Sequence, residues 1–126
     1  MYAEKEAPVA EDMAVWRGLV LDEVRSIADE EQQRKTWFGE GPWVDSPTEQ
    51  FCAFFDNASV PEFLAHSDNR LNEQQKLHLT QLSALMRYVS DSIHGFIRPV
   101  DLIDDPRWEE IRKQATITLE ILSKQD

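Results

Sequence analysis

Three stretches of this chain place apolar residues at steps of three and four, and that period commits it to helices packed against one another. The first stripe is Met13, Trp16, Val20, Val24 and Ile27. The second is His78, Leu82, Leu85, Met86, Val89 and Ile93, and the third is Trp108, Ile111, Ala115, Leu119 and Leu122. Residues at this spacing share one helical face, so each stretch has a side that must be buried on another element. Only four glycines in 126 residues, with Glu, Gln, Leu, Ala and Arg abundant, point the same way.

Start and stop signals set the expected lengths. The first helix is expected over about 10–34, with Asp12, Arg17, Asp22, Arg25 and Asp29 on its outer faces and Arg34 and Lys35 at the end where the helix dipole favours cations. Ser46-Pro47-Thr48-Glu49 offers a hydroxyl cap, a proline at the first position and a glutamate three residues after the cap. That helix is expected to run to about Asp56-Asn57. Ser59-Val60-Pro61-Glu62 repeats the capping-box pattern before Phe63 and Leu64. A long helix over about 72–94 stops at Gly95, and Pro99 with the acidic stretch after it reads as a connection. Asp105-Pro106 opens a last helix to about Ser123. The expectation is an all-α fold: a compact single-domain bundle over 1–126, of about three long and two short helices, with 1–9 as a frayed N-terminus.

Charge narrows the class of partner. There are 24 acids against 13 bases, a net charge of −11. Phosphate backbones need clustered Lys and Arg, so direct nucleic-acid binding is not expected, and anionic membranes repel such a chain. The most apolar short run, 18–21, cannot span a bilayer, and the acidic N-terminus lacks the apolar core of a signal peptide. Cys52 is the sole cysteine, so no internal disulfide forms. A cytoplasmic location is expected.

Catalytic and metal constellations are weak. Cys52 lies in Phe51-Cys52-Ala53-Phe54-Phe55, apolar surroundings that suggest a buried, inert thiol. Glu62 and His66 are four apart and Asp91 and His94 three apart, but a carboxylate-bridged bundle site needs two Glu-x-x-His helices and two further glutamates. His78 falls on an apolar stripe and reads as a hydrogen-bonded core histidine. Adjacent carboxylates such as Asp104-Asp105, Glu109-Glu110 and Asp29-Glu30-Glu31 diverge on a helix and suit caps and solvated faces. No phosphate-binding loop, paired-cysteine motif or nucleophile elbow occurs. No cofactor, metal or enzymatic activity is expected.

One segment stands apart. Residues 36–69 contain Glu40, Asp45, Glu49, Asp56, Glu62 and Asp68 but no lysine or arginine, and they hold seven of the twelve aromatics. Phe51, Phe54, Phe55 and Phe63 fall on the two short helices and are expected in the core. Trp37, Phe38 and Trp43 bracket Glu40 in a loop with two glycines. Those rings either fold back to staple the first helix to the second, or face outward as anchors of the kind tryptophan supplies at interfaces. The functional expectation is a small acidic binding protein of the inhibitor, immunity or antitoxin kind. Its partner would be a basic protein such as a nuclease or toxin, met through Trp37, Phe38, Glu40, Trp43, Asp45, Glu49 and Asp56, with acids steering the encounter. Small acidic helical proteins that neutralise basic nucleases are a physical analogy for it. The alternative is a structural or assembly subunit, a homo-dimer or larger helical homo-oligomer built on apolar surface at Leu79, Ile117 and Ile121.

Overall fold

A computed structural model describes residues 10–41, 45–93 and 97–124; the stretch 1–9 expected to fray and the expected stop at Gly95 lie outside them. Every regular element among the described residues is helical: α1 Ala10–Ala28, α2 Glu30–Thr36, α3 Pro47–Cys52, α4 Val60–Ala65, α5 Glu73–Ser92, α6 Pro99–Leu102 and α7 Pro106–Ser123. Three are long, as expected. Among the described residues the short ones number four, roughly in line with the expected count of about two; the additional ones arise because the first helix is broken and the connection after Pro99 contains a turn of helix.

The break falls at Asp29. Its carboxylate accepts the Gln32 backbone N–H at 3.0 Å, and its backbone leaves the helical region with φ −94° and ψ 87°. Asp29 therefore caps α2 instead of lying on the outer face of a continuous helix. The ends of α1 carbonyls so exposed are taken up by Gln33, whose Nε2 donates to Ser26 O at 2.9 Å and Ile27 O at 2.8 Å.

The other caps follow the sequence more closely. Ser46 Oγ accepts from Glu49 N, Asn72 and Gln75 form a reciprocal capping box, and Asp105 Oδ1 accepts from Arg107 N. Ser59 departs from expectation. It lies in the left-handed region at φ 48° and makes no side-chain cap; its hydroxyl donates instead to Asp56 O at 3.1 Å. The cause lies just upstream, where α3 widens into a π-helical turn, Ala53–Asn57, closed by Ala58 N–H to Ala53 O at 2.8 Å. The extra residue re-aims the chain, and the Ala58 carbonyl then accepts Trp16 Nε1 at 2.7 Å.

Helix α7 packs along both α1 and α5 and runs antiparallel to each. Arg17 reaches the Leu122 carbonyl at one end of the α1 pair. On the α5 side, Gln75 reaches Ile121 O, and Arg107 reaches Ser92 Oγ. The core joins Val20, Val24 and Ile27 to Phe54, Phe63, Leu79, Leu82, Met86, Trp108, Ile111 and Leu122. Leu79 is fully buried, correcting its assignment to an outer surface: α5 turns Leu79, Leu82, Met86 and Val89 inward. His78, one step round, is only half-buried, and its ring meets Gln114 Nε2 at 3.2 Å.

Trp108 ties the most elements together. It is fully buried, its ring lies 5.5 Å from Trp37 and 5.7 Å from Phe51, and its Nε1 donates to Gln33 Oε1 at 3.1 Å. Trp108→Ala empties that space and frees two further rings, so it is expected to cost about 3–5 kcal/mol in a urea unfolding series. A loss below about 1 kcal/mol would show that the three rings do not act as one anchor.

Candidate functional site

The corner between α2 and α3 is pinched at its base by one carbonyl. Thr36 O accepts Gly39 N–H at 3.3 Å and Asp45 N–H at 3.2 Å, while Glu40 N–H bonds Lys35 O at 2.7 Å. Gly39 takes φ +79°, and a Cβ at Gly41 would meet Thr36 Cγ2 at 2.7 Å. Both glycines are needed so that the loop can close on its own helix.

Within that loop the rings part company. Trp37 is 5 % exposed and packs on Trp108, so it belongs to the core and offers no area to a partner in this conformation. Phe38, the next residue, is 45 % exposed beside Glu40, which is also exposed. Trp43 lies outside the described residues. Of the two arrangements open in the sequence, Trp37 takes the inward one and Phe38 the outward one.

The short helices divide their residues in the same manner. Phe51, Phe54 and Phe63 are buried, and Phe55 lies partly buried against Phe54 with the Arg87 guanidinium 4.2 Å from its ring centre. Glu49, Asp56, Glu62 and Asp68 are exposed. Among the described residues no acid of 36–69 takes part in an ion pair, whereas Asp22, Glu30, Glu31, Asp101, Asp104 and Asp105 all do. Asp45 differs from the exposed acids. It is partly buried, accepts Ser46 N–H at 2.8 Å, and burial raises its carboxyl above the usual range.

Cys52 is exposed, which corrects the expectation of a buried thiol. Its apolar neighbours Phe51 and Phe54 take the inward positions of the turn and leave position 52 outward. Among the described residues no group of three or more His, Cys, Asp or Glu side chains is placed to hold a metal ion. His66 is used locally: its ring meets Trp16 at 5.7 Å, and its Nδ1 accepts Asp68 N–H at 3.0 Å. His94 lies outside the described residues.

Two residues that sequence reasoning passed over lie behind this corner. Glu23 on α1 accepts from Gln50 Nε2 on α3 at 2.6 Å, and that nitrogen also reaches Ser26 Oγ at 3.2 Å. The signal was present in the spacing, since Glu23 sits seven residues after Trp16 and four before Ile27, beside the buried stripe. Burial, aided by Asp45 and opposed by the Gln50 bond, raises the Glu23 carboxyl from 4.5 to about 7.

No family model, curated protein or solved structure matches this chain. No helix of the described residues is long and apolar enough to cross a membrane.

The Glu23 shift has a definite sign. Folding favours the protonated form, so the stability it supports is present in full below about 4.5 and is lost as the pH rises through about 7. Glu23→Gln removes that dependence. The variant is expected to gain roughly 2–3 kcal/mol on the unmodified protein between acid and mildly alkaline pH, read from urea midpoints. A difference that does not change with pH would contradict the burial of this carboxyl.

Proposed function

We propose that this chain is a small acidic protein-binding module of the inhibitor, immunity or antitoxin kind. It engages a basic protein surface through the outer face of 36–69. The observation that carries the reading is the set of exposed acids there, Glu40, Glu49, Asp56, Glu62 and Asp68, none of them ion-paired among the described residues. Elsewhere the chain spends many of its carboxylates on its own lysines and arginines. A surface of one sign without internal partners attracts a complementary one and speeds its approach. A nuclease cleft, lined with cations for phosphate, has the matching chemistry.

Phe38 is the apolar contact in this arrangement, and Trp37 holds the loop beneath it. Glu40 and Glu49 pair with partner cations at the rim, with Asp56 on the same chain segment. Asp45 serves chiefly to close the loop.

The second reading, self-association, draws on Ile117, which is 44 % exposed on α7, and on Leu77 and Tyr88, exposed on α5. Light scattering separates the two: a dimer indifferent to salt favours assembly, and a monomer removes it.

Recovery of a bound partner from native extract, followed by a salt titration, tests the leading reading. A basic protein is expected, with affinity falling at least about tenfold between low and physiological salt, and falling further with Phe38→Ala or Glu40→Lys. Binding that ignores ionic strength and tolerates Glu40→Lys would contradict it.

A further inference from the structure

The Glu23–Gln50 pair carries an incomplete hydrogen-bond pattern. Gln50 is 2 % exposed, its Nε2 donates to Glu23 and Ser26, and its Oε1 is buried without a partner. A neutral carboxyl and a carboxamide can satisfy each other twice, the amide N–H donating to one carboxyl oxygen and the carboxyl O–H donating to the amide oxygen. An ionised carboxylate can make only the first bond and leaves the amide oxygen orphaned, which is costly in a buried position.

Beyond the Gln50 amide N–H, no cation among the described residues is placed to compensate an ionised Glu23. Asp45 approaches it from the loop, and Glu49 of α3 lies against Asp45. On α1 itself, Asp22 and Arg25 are paired with each other in solvent. The α7 cation that reaches toward the α1–α2 break, Arg112, is committed to the Ile103 carbonyl, Gln33 and Glu30. Arg87 of α5 lies over Phe55, and α4 presents Glu62 to solvent with His66 against Trp16.

We propose that Glu23 and Gln50 form a proton-operated latch. While Glu23 carries a proton, the carboxyl–carboxamide pair holds the α3 corner on α1 by two bonds; when the proton leaves, an anion held by the Gln50 N–H alone faces Asp45 and the corner loosens. The burial-raised carboxyl puts this change close to neutral pH. The latch is a property of the free chain and does not depend on the binding reading. It sets how firmly the segment that carries Glu49 and Asp56 is held.

Hydrogen exchange of the whole chain, corrected for intrinsic rates, tests it at about pH 5.5 and about pH 8.5. Relative to α5 and α7, the amides of 47–57 are expected to lose protection on the order of tenfold at the higher pH, and Glu23→Gln is expected to abolish that loss. Unchanged relative protection in the unmodified protein would overturn the proposal. So would an equal loss in Glu23→Gln, which would move the cause to Asp45 and Glu49. Should that variant not fold, carboxyl-carbon NMR of the unmodified protein decides. Titration of Glu23 near 7, with the Gln50 side-chain amide shifting in step, supports the latch, and titration near the ordinary 4.5 refutes it.

Discussion

The Gln33 side chain is the joint on which the arrangement depends. Its nitrogen closes the last carbonyls of α1 across the Asp29 break, and its oxygen receives Trp108 Nε1 from α7. Arg112 adds a longer contact to the same oxygen and binds the Ile103 carbonyl, tying in the turn after α6. One buried amide on α2 thus satisfies groups from two other helices, α1 and α7, and such an amide is costly to leave half-paired. With Trp108 so oriented, Trp37 and Phe51 pack on its ring, and the loop between α2 and α3 is anchored at both ends.

That anchoring explains how a segment rich in both acids and rings can fold. The aromatic residues at 37, 51, 54 and 63 are buried, while the carboxylates at 40, 49, 56, 62 and 68 stay in water. The π-helical turn assists by letting Phe54 face the core while Phe55 turns toward Arg87. Burying the rings offsets the crowding of like charges, and each uncompensated surface acid costs little on its own. Negative charge therefore gathers on one segment without destabilising it.

Much of this was legible in the chain. The three long helices showed through their apolar period, which depends only on each helix having one buried face. The caps at Ser46 and Asp105 were legible because capping is local chemistry. The Asp29 break was harder to see: 29–36 is polar and compatible with helix on either side, and only the packing of Gln33 on Trp108 decides where the axis turns. Leu79 and His78 are neighbours near the edge of one stripe, and only the position of α7 chooses between them. Cys52 misled because its flanking phenylalanines point inward while it does not. In the candidate site, the acids were found as a segment property. The inward turn of Trp37 and the Glu23–Gln50 pair join residues far apart in sequence; spacing puts Glu23 beside the buried stripe, but no local pattern names its partner.

The outer acids of 36–69 make no ion pair among the described residues and are therefore expected to do no structural work. Replacing Glu40 with Gln, and Asp56 and Asp68 with Asn, in one chain and measuring the urea midpoint tests this directly. Stability is predicted to stay within about 0.5 kcal/mol of the unmodified protein or to rise slightly as repulsion is relieved. A loss beyond about 1 kcal/mol would mean that these carboxylates hold the fold, and the division between buried rings and free acids would fail.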